Sequence, residues 1–174
     1  MENMKKIAPA AFNPEIFNFF SQRWLLLCAG DFKSGEYNCM TIGWGFLGTM
    51  WGQPAVTVAV RPQRRTMEFL EHFDTFTCCS FPEKYRDALN FLGSVSGYAN
   101  PRKITDAGLT PAEASSVAAP AFAEADCVIE AVTKTISSLG APSFRDKKLI
   151  RDFYPERDFH RIVIGTIAAI LRTE

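Results

Sequence analysis

The 174-residue chain has no surplus of either charge: nineteen Lys and Arg stand against nineteen Asp and Glu. A protein that binds nucleic acid through its phosphates carries a large positive excess, so that class of partner is not expected. Nor is there an apolar run near the ~18–20 residues that a membrane helix needs. The longest stretches, 24–29 and 162–171, are short or interrupted, and the N-terminal lysines Lys5 and Lys6 have no apolar core behind them. No secretion signal or membrane anchor is read there. The five cysteines include no Cys-x-x-Cys pair, which points to reduced thiols and a cytoplasmic protein. Only two histidines occur, His72 and His160, far apart and without ligand spacing. Gly-x-Gly-x-x-Gly after a strand, Gly-x-Ser-x-Gly, His-Glu-x-x-His and the Walker loop are all missing. Rossmann, hydrolase, metalloprotease and ATPase readings therefore have no motif to rest on.

What the chain does have is globular: 47% hydrophobic and 13% aromatic residues, enough to bury a core as one domain over 1–174. Apolar or β-branched runs at 23–29, 37–43, 55–60 and 75–81 read as strands, set off by Gly30-Asp31, Pro54 and Pro62. Thr66 is expected to cap a short helix, and Pro82 to start another whose Tyr85, Ala88, Leu89 and Leu92 recur at helical spacing. A further helical turn is expected over 103–107, closed by Gly108. The Ala/Ser/Pro segment 111–120 has the composition of a poorly ordered stretch. Strands resume over 122–134, 146–153 reads as helical, and 158–171 closes the chain as a long apolar strand. Strands and helices do not alternate, so the expected class is mainly β with short helices (α+β), an antiparallel barrel with peripheral helices.

Three segments carry candidate chemistry. Val60-Arg61-Pro62-Gln63-Arg64-Arg65-Thr66 places three guanidinium groups and a hydroxyl where a strand meets a helix N-terminus. Free amides there and arginine forks suit a phosphate monoester; the alternative is a solvated turn whose arginines meet Glu68 or Glu71. Asn38-Cys39-Met40-Thr41-Ile42-Gly43-Trp44-Gly45 offers glycines for close backbone approach and Met40 and Trp44 as walls for a flat ligand, or else a barrel corner. Gly93-Ser94-Val95-Ser96-Gly97, followed by Arg102-Lys103, is either a second ligand loop or a helix C-cap. Cys78 and Cys79 are adjacent on a strand and point to opposite faces, so they read as small core residues. His160 in Asp158-Phe159-His160-Arg161 reads as structural.

In order and spacing these segments resemble the flavin reductase-like, FMN-binding split-barrel family, and its flavoredoxin-type branch. Gly48-Thr49-Met50-Trp51-Gly52-Gln53-Pro54, Thr77-Cys78-Cys79-Ser80-Phe81-Pro82, Ala107-Gly108-Leu109-Thr110 and the stretch Asp158 to Gly165 extend the resemblance over residues 20–170. The resemblance implies a homodimer of antiparallel split β-barrels, each with one FMN near the interface. It implies that Met40, Thr41, Ile42, Gly43 and Trp44 lie against the isoalloxazine, with Asn38 also among the cofactor-binding residues. Arg61, Arg64 and Thr66 would hold the phosphate, with Pro62 and Arg65 also among the cofactor-binding residues, Ser80 and Phe81 would flank the ring or ribityl chain, and Ser96, Gly97 and Lys103 would come from the later loop. Gln63 and Arg65 stand where relatives often have Ser and Tyr, and the loop before Lys103 is one residue longer, so Arg102 is an alternative to Lys103. The implied activity is electron transfer from NAD(P)H through FMN to free flavin, oxygen or a redox partner protein, or electron carriage alone. No side chain acts as the catalytic group, because the chemistry resides on the flavin, and no metal is expected.

Overall fold

The computed structural model describes residues 4–12 and 15–173. Its framework is one antiparallel sheet built from β1 (Met4–Ile7), β2 (Leu25–Asp31), β3 (Glu36–Ile42), β4 (Gly45–Met50), β5 (Gln53–Val60), β6 (Thr75–Ser80), β9 (Cys127–Ser138) and β10 (Arg161–Thr173). A two-residue ladder pairs β7 (Pro111–Ala112) with β8 (Ala121–Phe122). The helices are α1 (Ile16–Ser21), α2 (Arg65–His72), α3 (Arg86–Ser94), α4 (Lys103–Asp106) and α5 (Lys148–Phe153). None of the described helices is long and apolar enough to cross a membrane.

The strand order is β3-β2-β6-β9-β10-β5-β4, with β1 beside β10. β3 and β4 are therefore the two ends of the order, yet only Gly43 and Trp44 separate them in the chain. Three Cα steps reach at most ~11 Å, so the sheet must curl until its ends nearly meet. They do not pair with each other, and the barrel stays split. β10 serves two partners along one edge, β5 through 161–166 and β1 through 170–173. Register shifts at Ile164/Gly165 and Ile167/Ala169 bend it between them. At the first, the Phe76 ring occupies the space beside Gly165, where a Cβ would lie 2.6 Å from a ring carbon.

β2 is buried on both faces, which accounts for its unbroken apolar run. Leu25, Leu27 and Ala29 join Val56, Val58, Val60, Phe76 and Ile129 inside the barrel. Leu26 and Cys28 join Cys39, Cys79 and Val128 in a second core under Leu89 and Leu92 of α3 and Ile104 of α4. Cys78 and Cys79 divide between the two cores, as the alternation of a strand requires. Met67 and Leu70 of α2 close one end of the barrel, each burial worth ~1.5–3 kcal/mol.

The structure corrects two local expectations. The N-cap of α2 is Arg64, not Thr66; Thr66 lies inside the first turn and is buried. The 111–120 segment is packed rather than loose: the Ser115 amide and hydroxyl both donate to the fully buried Glu130 carboxylate, at 2.7 and 3.0 Å, and Ala119 is inaccessible. A polar composition concealed a carboxylate waiting for it on β9.

Candidate functional site

β5 ends at Val60, and Arg61-Pro62-Gln63-Arg64 forms a turn closed by the Arg64 amide donating to the Arg61 carbonyl at 3.1 Å. Proline at the second position suits that geometry. The turn delivers Arg64 to the start of α2, where the Arg65 and Thr66 amides have no acceptor among the described residues. These are the unpaired donors that every helix start leaves. Thr66 Oγ1 faces inward and accepts from Asn38 Nδ2 at 2.7 Å, tying α2 to β3. Asn38 also lies where a Cβ on Gly97 would sit, 2.7 Å from its Oδ1, so only glycine lets the 96–98 loop close here. Arg65 Nη1 donates to the Gly97 carbonyl at 2.6 Å and fixes the loop from the other side.

These pieces enclose a recess of about 190 Å³ lined by Asn38, Met40, Arg64, Thr66, Ser96 and Lys103, among others. Lys103 is 3% exposed and donates hydrogen bonds to the Leu92 and Val95 carbonyls, each at 3.2 Å, at the C-terminal end of α3. Burial, with the Arg64 and Arg65 charges as lesser causes, holds its ammonium below the usual lysine range. The Arg64 guanidinium makes no hydrogen bond or ion pair among the described residues. The recess therefore holds an excess of positive charge and free amide donors, the arrangement that suits an anion.

A second recess of about 180 Å³ shares Met40 and Arg64 with the first and continues past Thr41, Ile42, Gly43, Trp44, Ala59, Arg61 and His160. Its floor is the end of β3, an edge strand whose outward backbone groups have no ladder partner on that side. Thr41 is locked by its hydroxyl donating to the Leu89 carbonyl at 2.5 Å. Trp44 packs with its ring 4.8 Å from His160 and 5.6 Å from Phe153. His160 is 8% exposed, and its Nδ1 meets the Tyr154 hydroxyl at 2.8 Å. Burial first, then the Arg61 and Arg64 charges, push its pKa down to about 4, so the ring is neutral.

The arginines divide. Arg61 pairs with Asp158, donates to the Phe153 carbonyl at 2.8 Å and lies 5.3 Å from the Tyr154 ring centre. Its charge is already answered, and Asp158 is held below the usual carboxylate range by the Gln63 amide and then by Arg61. Of the candidates named from sequence, Asn38, Met40, Thr41, Ile42, Gly43, Trp44, Arg61, Arg64, Arg65, Thr66, Ser96, Gly97 and Lys103 line one or both recesses. Arg102 is exposed and lines neither recess, whereas Lys103 lines the first. Pro62 shapes the turn without facing a recess. Ser80 and Phe81 are not brought to either. The Ser80 hydroxyl donates to Asp126 at 2.5 Å, and Phe81 packs 6.0 Å from Tyr85 and Phe122 in the second core. His160, read from the sequence as structural, is buried and hydrogen-bonded and also lines the second recess. Its signal is the register Arg161↔Val60, which sets it next to Arg61, and that pairing is invisible in the sequence. Among the described residues no group of three His, Cys, Asp or Glu side chains could hold a metal.

Comparison with known proteins agrees with this architecture. An uncharacterized protein of Aeropyrum pernix is 33% identical over 91 residues, a match covering 49% of this chain and only 35% of that protein. Among solved structures, an FMN-binding domain of a flavin reductase-like enzyme from Shewanella baltica superposes with a TM-score of 0.70 at 15% identity, covering 98% of this chain and 77% of that one. The flavoredoxin of Desulfovibrio vulgaris gives 0.67 at 19% identity, covering 97% and 78%. An FMN-binding protein from Thermus thermophilus, solved with p-hydroxybenzaldehyde, gives 0.67 at 16%, covering 98% and 82%. Likeness at such identities is likeness of fold, here the open antiparallel sheet with short helices. The family model for the flavin reductase like domain matches residues 17–174, and the chain belongs to that family.

Proposed function

We propose that the chain is an FMN-dependent oxidoreductase that takes electrons from NAD(P)H and passes them to free flavin or another acceptor. The observation that carries this reading is the unanswered Arg64 charge beside the unpaired Arg65 and Thr66 amides. These groups, with Lys103, would hold the 5′-phosphate of FMN. The second recess, sharing Met40 and Arg64, would hold the flat end of the ligand against Thr41, Ile42, Gly43 and Trp44. The fit is chemical: an anion would offset the burial, and the lesser Arg64 and Arg65 repulsion, that hold the Lys103 ammonium below the usual lysine range.

Bound FMN supplies hydride acceptance and onward electron transfer, chemistry that no side chain here provides. The protein's part is binding, orientation and electrostatics. With the Tyr154 hydroxyl donating to Nδ1, the neutral His160 would carry its proton on Nε2, the nitrogen left for a hydrogen bond to a polar group in the recess. A homodimer is part of the same reading: one edge of β4 has no strand partner among the described residues, and Phe46 is 70% and Trp51 60% exposed on and beside it.

Rapid mixing of the FMN-loaded protein with NADH or NADPH tests the catalytic part. Bleaching of the flavin band within seconds is expected. A flavin that stays oxidised with both donors, yet is reduced by dithionite, would make the protein an electron carrier instead.

A further inference from the structure

We propose that Lys103 is a covalent modification site, whose amine takes the acyl group of a small acyl phosphate, and that the acylated protein holds FMN less tightly. The first part rests on the chemistry of Lys103 and its surroundings, the second on the flavin reading above.

Lys103 differs from every other lysine in the chain. The other seven are exposed, whereas Lys103 is buried at the start of α4, next to Ile104 of the second core. Its Nζ donates to the Leu92 and Val95 carbonyls, each at 3.2 Å, and both of those residues line the same recess of about 190 Å³ as Lys103 itself. Two acceptors match a neutral amine, which has two N–H groups and one lone pair. With both N–H groups engaged, the lone pair takes a direction that neither carbonyl occupies. An ammonium has a third N–H to satisfy, and no carboxylate lines the recess to answer its charge. Burial, with Arg64 and Arg65 as lesser causes, holds that ammonium below the usual lysine range. Desolvated lysines next to other cations are the ones that act as nucleophiles.

The recess also selects the electrophile. Arg64 and the unpaired Arg65 and Thr66 amides suit a phosphate. An acyl phosphate carries its electrophilic carbon one oxygen away from phosphorus, so seating the phosphate brings that carbon into the small space that the amine shares. Met40, Leu92 and Val95 offer apolar neighbours for a short acyl chain. The Lys103 lone pair forms a C–N bond to the acyl carbon as the C–O bond to the phosphate breaks. Hydrogen phosphate leaves with that electron pair and one amine proton, and nothing is oxidised or reduced. Arg64 and the free amides stabilise the charge that gathers on the leaving group. The product amide is uncharged and has a single N–H, so one of the two carbonyls loses its donor and the recess loses a cation.

Incubating flavin-free protein with acetyl phosphate and following each lysine by peptide mass spectrometry tests the proposal. Lys103 is expected to be acetylated at least tenfold faster than any exposed lysine. Inorganic phosphate should suppress that reaction and spare the exposed lysines, and Arg64→Ala should abolish the advantage. Acetic anhydride, which has no phosphate to be held, should favour the exposed lysines instead. After acetylation, FMN affinity should fall about tenfold or more, the loss of one charged hydrogen bond. Acetylation of Lys103 no faster than that of the exposed lysines, or an advantage that inorganic phosphate leaves intact, would overturn the site. Protection by inorganic phosphate but not by FMN would uphold the site and remove the flavin reading.

Discussion

At the start of α2 the Arg64 cation, without a counter-ion among the described residues, adds in a minor way to the burial that lowers the pKa of Lys103 and His160. The sequence shows three arginines between 61 and 65 but not which of them is free, because the acid that satisfies Arg61 is Asp158, 97 positions along the chain. That choice is made by strand register, and register is a property of the fold. The consequence for His160 is measurable. Its pKa falls from 6.5 to about 4 on folding, mainly through burial, so folding favours the neutral ring. The contribution is complete above pH ~6.5, fades as the unfolded chain takes up the proton that the folded ring refuses, and is lost below pH ~4. Between pH 7 and pH 5 it should cost about 2 kcal/mol. Urea midpoints at the two pH values check this: His160→Gln should lose less stability on acidification, by about that margin. An equal loss in both proteins would show that His160 is not held neutral. Cys78 and Cys79 were legible from sequence as small core residues; all five cysteines are buried, and burial pushes the thiols of Cys39 and Cys127 up to about 12.

The elements that were easiest to read are those whose burial is one- or two-sided and continuous. β2, β5 and β6 carry β-branched or apolar runs between glycine and proline, and their observed bounds differ from the expected ones by two residues or fewer. β4 was not assigned as a strand because Gly45, Phe46 and Gly48 mix flexibility with aromatic bulk, and one of its edges has no partner among the described residues. Gly45 is there for space: a Cβ would lie 2.4 Å from the Phe20 ring and 2.6 Å from the Thr57 carbonyl. β1 and α1 were not foreseen either; β1 alternates too little and takes its place only by pairing with β10. The loop holding Gly97 shows how element packing governs the site. Gly97→Ala would drive a methyl into Asn38, parting the Asn38–Thr66 bond that ties β3 to α2. Strain of this kind costs ~1–3 kcal/mol. Thermal melts should show that loss, and FMN affinity should fall with it. An alanine variant as stable and as tight-binding as the parent would mean that the loop is not wedged there.

Across the whole molecule, zero net charge and an open strand edge leave little to keep two copies apart. Phe46 and Trp51 on the β4–β5 hairpin and Phe17, 91% exposed on α1, form the apolar surface that the proposed dimer would cover. Light scattering is expected to give the mass of two chains, and Phe46→Glu the mass of one. A monomeric parent protein would remove the dimer from the proposal and leave the recesses as they are. The central claim concerns those recesses: that the free charge and amides at the α2 N-terminus hold the phosphate of a flavin. Comparing FMN with riboflavin, which lacks only that phosphate, tests it most directly. Charge-assisted hydrogen bonds contribute ~1.5–3 kcal/mol each, so the protein should bind FMN at least about a hundredfold more tightly than riboflavin, and Arg64→Ala should remove most of that preference. Equal affinity for the two flavins, or a preference that Arg64→Ala leaves intact, would contradict the account.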